Sequence, residues 1–417
     1  MRGINVTSLV DILLLAYADD LVILAESPVD VQRKLKVLKE YCEENDLVVN
    51  VKKTKILICQ RGNKIKKLSA FKYGDEVIEV VKNYVYLGVK FTRNGLFSQQ
   101  TNDIIARANI SIGSVKQVLL KSKNDSFESI MKLWQTVTSV SILYASETWA
   151  LRYCDNLESA QCKYFKDILR LQKCTPHYIV RAEAGLEKLE IRVIALALTW
   201  LFKIETMPYS RFPKLCLDKL REMDKRKSNL AKYNWITQVR QSLDKVKGGN
   251  LLDKDLSQPE SKEYAANILS QLREKFLNND QIHCSNSTFV PIYCQLNSEN
   301  NFERKEYLFQ KISFTKKRLF CQLRTNNVNC LLINVIQMSY KINPNEICSI
   351  CNMLVPENLE HIIFNCPMYK EIRQFHLTHL PENVNLLLDH NIDSKIISKL
   401  FNFITSAMKI RSFIINE

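Results

Sequence analysis

Glycine and proline are scarce, at 9 and 10 residues in a chain of 417, against usual shares of about 7% and about 5%. So few backbone breakers predict many helices. No glycine follows the Gly248-Gly249 pair, which places turn-rich β structure in the N-terminal part rather than the last third. Long apolar runs are missing too. The stretch 193–202 is among the longest and stops far short of the roughly 20 residues a spanning helix needs, so no transmembrane segment is expected. There is no excess of acid: 59 Lys and Arg against 44 Asp and Glu leave a formal charge of +15, which favours a polyanionic partner or an anionic membrane surface without choosing between them. Nor is there a disulfide framework. The 13 cysteines are odd in number and mostly isolated, the pattern of a reducing compartment. Residues 1–18 imitate a secretory signal, but Asp11 interrupts the apolar stretch, so secretion is not expected. With 46% hydrophobic and 25% charged residues, the composition is that of an ordinary globular protein and argues against wholesale disorder, collagen-like repeats and an integral membrane protein.

What is present changes character along the chain. From Leu9 to Ile23 two short apolar runs meet at Tyr17-Ala18-Asp19-Asp20, predicting a β-hairpin with a carboxylate tip. Ser27-Pro28 opens a helix, with Ser as N-cap and Pro in the first turn, in which Val31, Leu35, Leu38, Tyr41 and Cys42 recur at helical spacing. Strands are expected at Leu47–Asn50, Lys55–Cys59, Val77–Val81 and Tyr84–Phe91. After Asn94-Gly95 long helical periods follow, clearest at Thr101–Leu120, Ser126–Trp149, Asn156–Leu171 and Leu189–Ile204. The fold class is therefore α+β and mostly helical. Four segments are expected: 1–95 as α+β, 96–214 as a helical module, 215–303 as a polar connector with some helix, and 304–417 as a helical module around a Cys/His cluster. No internal repeat is visible.

Two adjacent acids between apolar strands either face water, as in any Asp-Asp turn, or hold a cation. The surrounding run, Leu13 through Ser27, resembles motif C of the reverse transcriptase palm as found in non-LTR (LINE-type) retrotransposons. The resemblance continues in chain order: residues 47–55, with Asn50 and Lys53-Thr54, resemble motif D, and Tyr84-Val85-Tyr86-Leu87-Gly88-Val89 resembles the primer-grip motif E. Residues 142–149 and 157–169 resemble the thumb and post-palm region. What the resemblance implies is RNA-directed DNA polymerase (nucleotidyltransferase) chemistry, with Asp19 as a Mg²⁺ ligand, Asp20 as a secondary acid near the primer end and Lys53 beside the nucleotide phosphates. Lys53 is equally readable as one more solvated lysine. The implied nucleic-acid contacts are Tyr17, Lys52, Lys55, Tyr86, Leu87 and Gly88. The implied partners are an RNA template with a DNA primer or target DNA, within an element ribonucleoprotein of nucleus and cytoplasm and away from membranes. The family carries its first metal-binding Asp in motif A, upstream of motifs B and C, whereas here motif C begins by residue 15. Half of the metal cage is thus expected to be missing, and the chain alone is expected to lack polymerase activity.

A second constellation is Cys348-x₂-Cys351-x₉-His361-x₄-Cys366, two chelating arms of the kind tetrahedral Zn²⁺ selects. Four unrelated residues are the alternative. With Pro367-Met368-Tyr369 and Arg373, the stretch 360–367 resembles the C-terminal CCHC segment of the same retrotransposon proteins, where a zinc module is either structural or an aid in holding RNA or DNA. Cys284, Cys294, Cys321, Cys330, His177, His283, His376, His379 and His390 lack ligand spacing and are read as core or incidental residues. Two basic groups, Lys52, Lys53, Lys55, Arg61, Lys64, Lys66, Lys67 and Lys72, then Lys311, Lys316, Lys317, Arg318 and Arg324, are expected to neutralise phosphates or to form solvated faces. No ribonuclease H carboxylate set and no acidic nuclease cluster after Cys366 is visible.

Overall fold

The computed structural model describes residues 4–7, 10–60, 70–122, 126–226, 231–296, 305–335, 338–378, 381 and 383–415. Arg61, Lys64, Lys66, Lys67 and His379 lie outside these, as do Arg2 and Leu9. In chain order the structure begins with β1 (Ile4–Thr7), β2 (Val10–Ile12), β3 (Leu14–Tyr17) and β4 (Asp20–Ile23), followed by helix α1 (Pro28–Glu44). Strands β5 (Lys55–Leu57), β6 (Phe71–Tyr73), β7 (Glu76–Val81), β8 (Asn83–Tyr86) and β9 (Val89–Thr92) come next. Helices then dominate: α2 (Ser98–Ser122), α3 (Phe127–Leu133), α4 (Ser139–Ile142), α5 (Ser146–Trp149), α6 (Cys154–Leu169), α7 (His177–Ala184) and α8 (Leu189–Glu205). They continue with α9 (Phe212–Lys225), α10 (Trp235–Leu243), α11 (Pro259–Ser285), α12 (Pro291–Leu296) and α13 (Phe314–Thr325). A late hairpin, β10 (Leu331–Val335) and β11 (Met338–Ile342), precedes α14 (Lys370–His376), α15 (Val384–Leu387) and α16 (Ser394–Ile415). No helix of the described residues is long and apolar enough to cross a membrane.

The chain divides into two compact units, each discontinuous in sequence: Met1–Ile104 with Ala145–Cys154 and Arg192–Leu269, and Ile105–Tyr144 with Asp155–Ile191 and Ser270–Glu417. In the first unit the strands form small separate sheets. β1 pairs with β2, β3 with β4 and β8 with β9, while β7 lies between β5, which runs parallel to it, and antiparallel β6. Helix α1 closes one side of this last sheet, its Leu35 buried with Phe71 and Ile78 against Val31, Val51, Ile56 and Ile58. The Gln32 side chain extends the sheet's bonding by accepting from the Lys72 N–H at 2.9 Å and donating to the Lys72 carbonyl at 2.7 Å. In the second unit Trp134, Tyr164 and Phe165 form an aromatic core with ring centroids 4.9 to 5.6 Å apart.

Four expectations about elements need revision. Leu47–Asn50 is not a strand: Val48 is 95% exposed, and Asn50 instead closes a turn, its side chain accepting from the Lys53 N–H at 3.1 Å and its carbonyl from the Thr54 hydroxyl at 2.9 Å. Tyr84–Phe91 is not one strand but a hairpin folded at Leu87-Gly88. Ser126–Trp149 is not one helix. Four of its buried residues, Ile130, Trp134, Thr138 and Ile142, are spaced by four, and a wide π-turn at Trp134–Thr138 offsets the rotation that 3.6-residue turns give such a row; the segment then breaks at Ala145, which is left-handed at φ 51°. β10 and β11 stand in the glycine-free last third, made by alternation: Leu331, Ile333 and Val335 are buried and the residues between them are not.

Candidate functional site

The acidic hairpin is built as its sequence suggests. β3 and β4 pair from Leu14↔Ile23 to Tyr17↔Asp20, leaving Ala18-Asp19 as the tip. Ala18 takes φ 51°, a left-handed state that costs a β-carbon-bearing residue about 1 kcal/mol. Asp19 and Asp20 are exposed, and Tyr17, paired directly opposite Asp20, is 65% exposed. Residues so paired share a face of the hairpin. Helix α1 anchors the outgoing strand: Lys34, only 3% exposed, donates to the Leu24 carbonyl at 2.7 Å and pairs with Asp30 at 2.6 Å. The Lys34 charge lowers the Asp30 pKa, first through that hydrogen bond. Among the described residues no third carboxylate or imidazole joins Asp19 and Asp20 within reach of one ion.

Of the expected nucleic-acid contacts, Tyr17 lies on the acidic hairpin and the others on different elements of the first unit. Lys52 and Lys53 are exposed on the Asn50 turn, and the Lys53 carbonyl accepts from the Tyr84 hydroxyl of β8 at 3.4 Å. Lys55 is paired with Glu79 across β5 and β7 at 2.7 Å, so part of its charge is already answered. Tyr86 is half-buried at the end of β8, and Leu87 and Gly88 form the β8–β9 turn at φ 47° and 77°. Only glycine adopts the second of these without strain. The hairpin with the acids is a sheet of its own and shares no strand pairing with these residues.

The second basic group is in part an interior feature, with Lys317 and Arg324 buried, Lys316 and Arg318 half-buried and Lys311 exposed. Arg324 is fully buried against Glu183, with Nε and Oε1 2.8 Å apart, and Lys317 is only 2% exposed. Arg318 donates to the Ile168 carbonyl at 2.7 Å and lies over the Phe314 ring, while Lys316 donates to Ser398 at 3.1 Å. Glu183, Ile168 and Ser398 are distant in sequence, so the run itself does not show that Arg324, Arg318 and Lys316 have partners within the protein.

Cys348, Cys351, His361 and Cys366 converge. Their donor atoms lie within 4.8 Å of one another and all four residues are buried. The knuckle is held by the Cys348 N–H to the Val355 carbonyl at 2.8 Å, with Leu354 left-handed at φ 55°. The second arm is a π-turn over His361–Asn365, closed by the Cys366 N–H to the His361 carbonyl at 2.7 Å and capped by Asn358 on the His361 N–H at 2.8 Å. Cys351 Sγ and His361 Nε2 are 3.4 Å apart. Burial raises the Cys348 and Cys366 thiols, the latter to about 12, and lowers His361. Three thiols and an imidazole at this separation fit a tetrahedral ion, since sulfurs bound at 2.3 Å stand about 3.8 Å apart. A dication would turn the thiols into thiolates. Around the arms, Glu357 pairs with Arg411 of α16 at 3.0 Å, Ser349 bonds Glu357, and Arg373 of α14 donates to the Ile363 and Cys366 carbonyls. Sequence reasoning found the four donors but not Glu357 or Arg411, which carry no spacing signal. The other cysteines and histidines join no such group among the described residues.

Compared with curated proteins and with solved structures, the chain matches none. Residues 2–91, which carry the acidic hairpin, the Asn50 turn and the Leu87-Gly88 turn, match the family described as reverse transcriptase (RNA-dependent DNA polymerase).

Proposed function

We propose that this chain is the C-terminal part of a LINE-type retrotransposon reverse transcriptase. The observation that carries it is the coincidence of the family match over 2–91 with an exposed Asp19-Asp20 hairpin tip. In this reading residues 1–95 are half of a palm, 96–214 a thumb-like region, 215–303 a connector and 304–417 a module with a zinc site. Within a complete palm Asp19 would hold Mg²⁺ and Asp20 would stand near the primer end; the ions would activate the primer 3′ hydroxyl and steady the leaving pyrophosphate. Lys53 would face the nucleotide phosphates, and the Leu87-Gly88 turn would contact the primer. Two-metal chemistry needs carboxylates converging from different strands, and only one side of that cage is present in the described residues. These 417 residues by themselves are therefore expected not to extend a primer. With Mg²⁺, deoxynucleotides and a primed RNA template, no product should form; extension that disappears in Asp19→Ala would overturn the inactivity.

A second reading is favoured by the buried Cys₃His cluster: a zinc-dependent nucleic-acid-binding protein without catalysis, or a decayed element copy. Binding of RNA or DNA that weakens steeply with salt, and again in Cys348→Ser, supports the binding role. A decayed copy would show neither dependence.

A further inference from the structure

Three thiolates and a neutral imidazole around a dication leave the site with one net negative charge. All four donor residues are buried, and a buried net charge is costly unless a partner answers it. Glu357 cannot supply the answer, being an acid, and its own charge is met by Arg411, both side chains largely buried. Arg373 is placed differently. Its Nε donates to the Ile363 carbonyl at 2.7 Å and a terminal nitrogen to the Cys366 carbonyl at 2.8 Å, so one rigid fork clasps two carbonyls of the turn that presents His361 and Cys366. Its guanidinium is half-buried, and among the described residues no carboxylate pairs with it. The bond to the Cys366 carbonyl sets the guanidinium against the backbone of a donor residue.

We propose that Arg373 is the positioning residue of the metal centre, holding the His361–Cys366 turn in its ligating shape and balancing the charge of a three-thiolate site. This rests on the cluster being a zinc site. The fork geometry explains arginine rather than lysine: an ammonium is a point charge on a flexible stem and does not hold two carbonyls in a fixed frame. The role is distinct from that of the Glu357–Arg411 pair, which fastens the first arm to α16 and brings no net charge.

The full chain, stripped of metal under reducing conditions, is titrated with Co²⁺ and read by its thiolate-to-cobalt absorption; Zn²⁺ affinity follows from competition with a chromophoric chelator. Wild type should bind one ion with a tetrahedral thiolate spectrum. Arg373→Gln should bind Zn²⁺ about 10–100-fold more weakly, the range typical for groups that orient metal ligands. Arg373→Lys keeps the charge and should fall between the two. Wild-type affinity in Arg373→Gln overturns the proposal and leaves the zinc site standing; a wild-type chain without a cobalt spectrum overturns both. An Arg373→Lys variant as weak as Arg373→Gln overturns the charge-balancing role, independently of how well the glutamine variant folds.

Discussion

At the scale of single residues, buried charge decides more than exposed charge. Glu183 and Arg324 are both 0% exposed and bonded to one another, and Glu183 also accepts from the Tyr307 hydroxyl at 2.6 Å. Arg324→Met would leave that carboxylate buried without its partner, a change that costs about 3–5 kcal/mol, read as a lower urea midpoint. Replacing both, as Glu183→Leu with Arg324→Met, should recover most of the loss. Burial alone would raise the Glu183 pKa; Arg324 first, then Lys305 and the hydrogen bonds, hold it below its ordinary 4.5. A carboxyl so lowered contributes stability that is complete above the unfolded value and lost as pH falls through the folded one. Wild type should therefore lose stability below about pH 4.5 more steeply than the double variant. Equal acid arms in the two denaturation series would contradict this. None of it is legible in the sequence, because Glu183 and Arg324 are separated by 141 positions and nothing local marks them as a pair.

At the scale of elements, local signals were sufficient where they were self-contained. Helix α1 was legible because its start needs only neighbours: the Ser27 hydroxyl accepts from the Asp30 N–H at 3.2 Å, and Pro28 occupies the first turn. Ser27→Ala should cost about 1 kcal/mol in the first unit, measured by chemical denaturation. Because Lys34 of the same helix holds the Leu24 carbonyl beyond β4, Lys34→Met should raise amide exchange in Asp20–Ile23; protection equal to wild type would argue that the hairpin stands without α1. The acidic hairpin was legible for the same reason of short range. Ser126–Trp149 was not, since neither the π-turn at Trp134–Thr138 nor the left-handed Ala145 is marked by glycine, proline or a cap in the sequence. The β10–β11 hairpin was missed because its alternation spans only five residues per strand and the region lacks glycine.

At the scale of the whole molecule, the Cys/His cluster ties distant segments of one unit together. Glu357 and Arg411, 54 positions apart, join the knuckle to α16, and Arg373 joins the second arm to α14. With the cluster as a zinc site, as proposed, a chelator should lower the thermal midpoint of the unit that carries it by roughly 5 °C or more. Cys366→Ser should show the lowered midpoint from the outset and no further response to the chelator. Calorimetric traces that are unchanged by the chelator in wild type would remove the structural role of the ion. The first unit, which holds no such cluster among its described residues, should melt at the same temperature with and without chelator.

The sequence by itself determined the features whose chemistry is contained in a short stretch: the Asp19-Asp20 tip, the capped helix α1, the ligand spacing of Cys348, Cys351, His361 and Cys366, and the overall predominance of helix. Each depends on neighbours within about one turn, one hairpin or one chelating loop. Tertiary structure alone decided which charges are solvated and which are buried. It paired Arg324 with Glu183 and Arg411 with Glu357, and it set Arg373 against the turn that presents His361 and Cys366. Ion pairs and second partners of ligands form between segments far apart in the chain, and their energies depend on burial, which no local pattern of residues encodes.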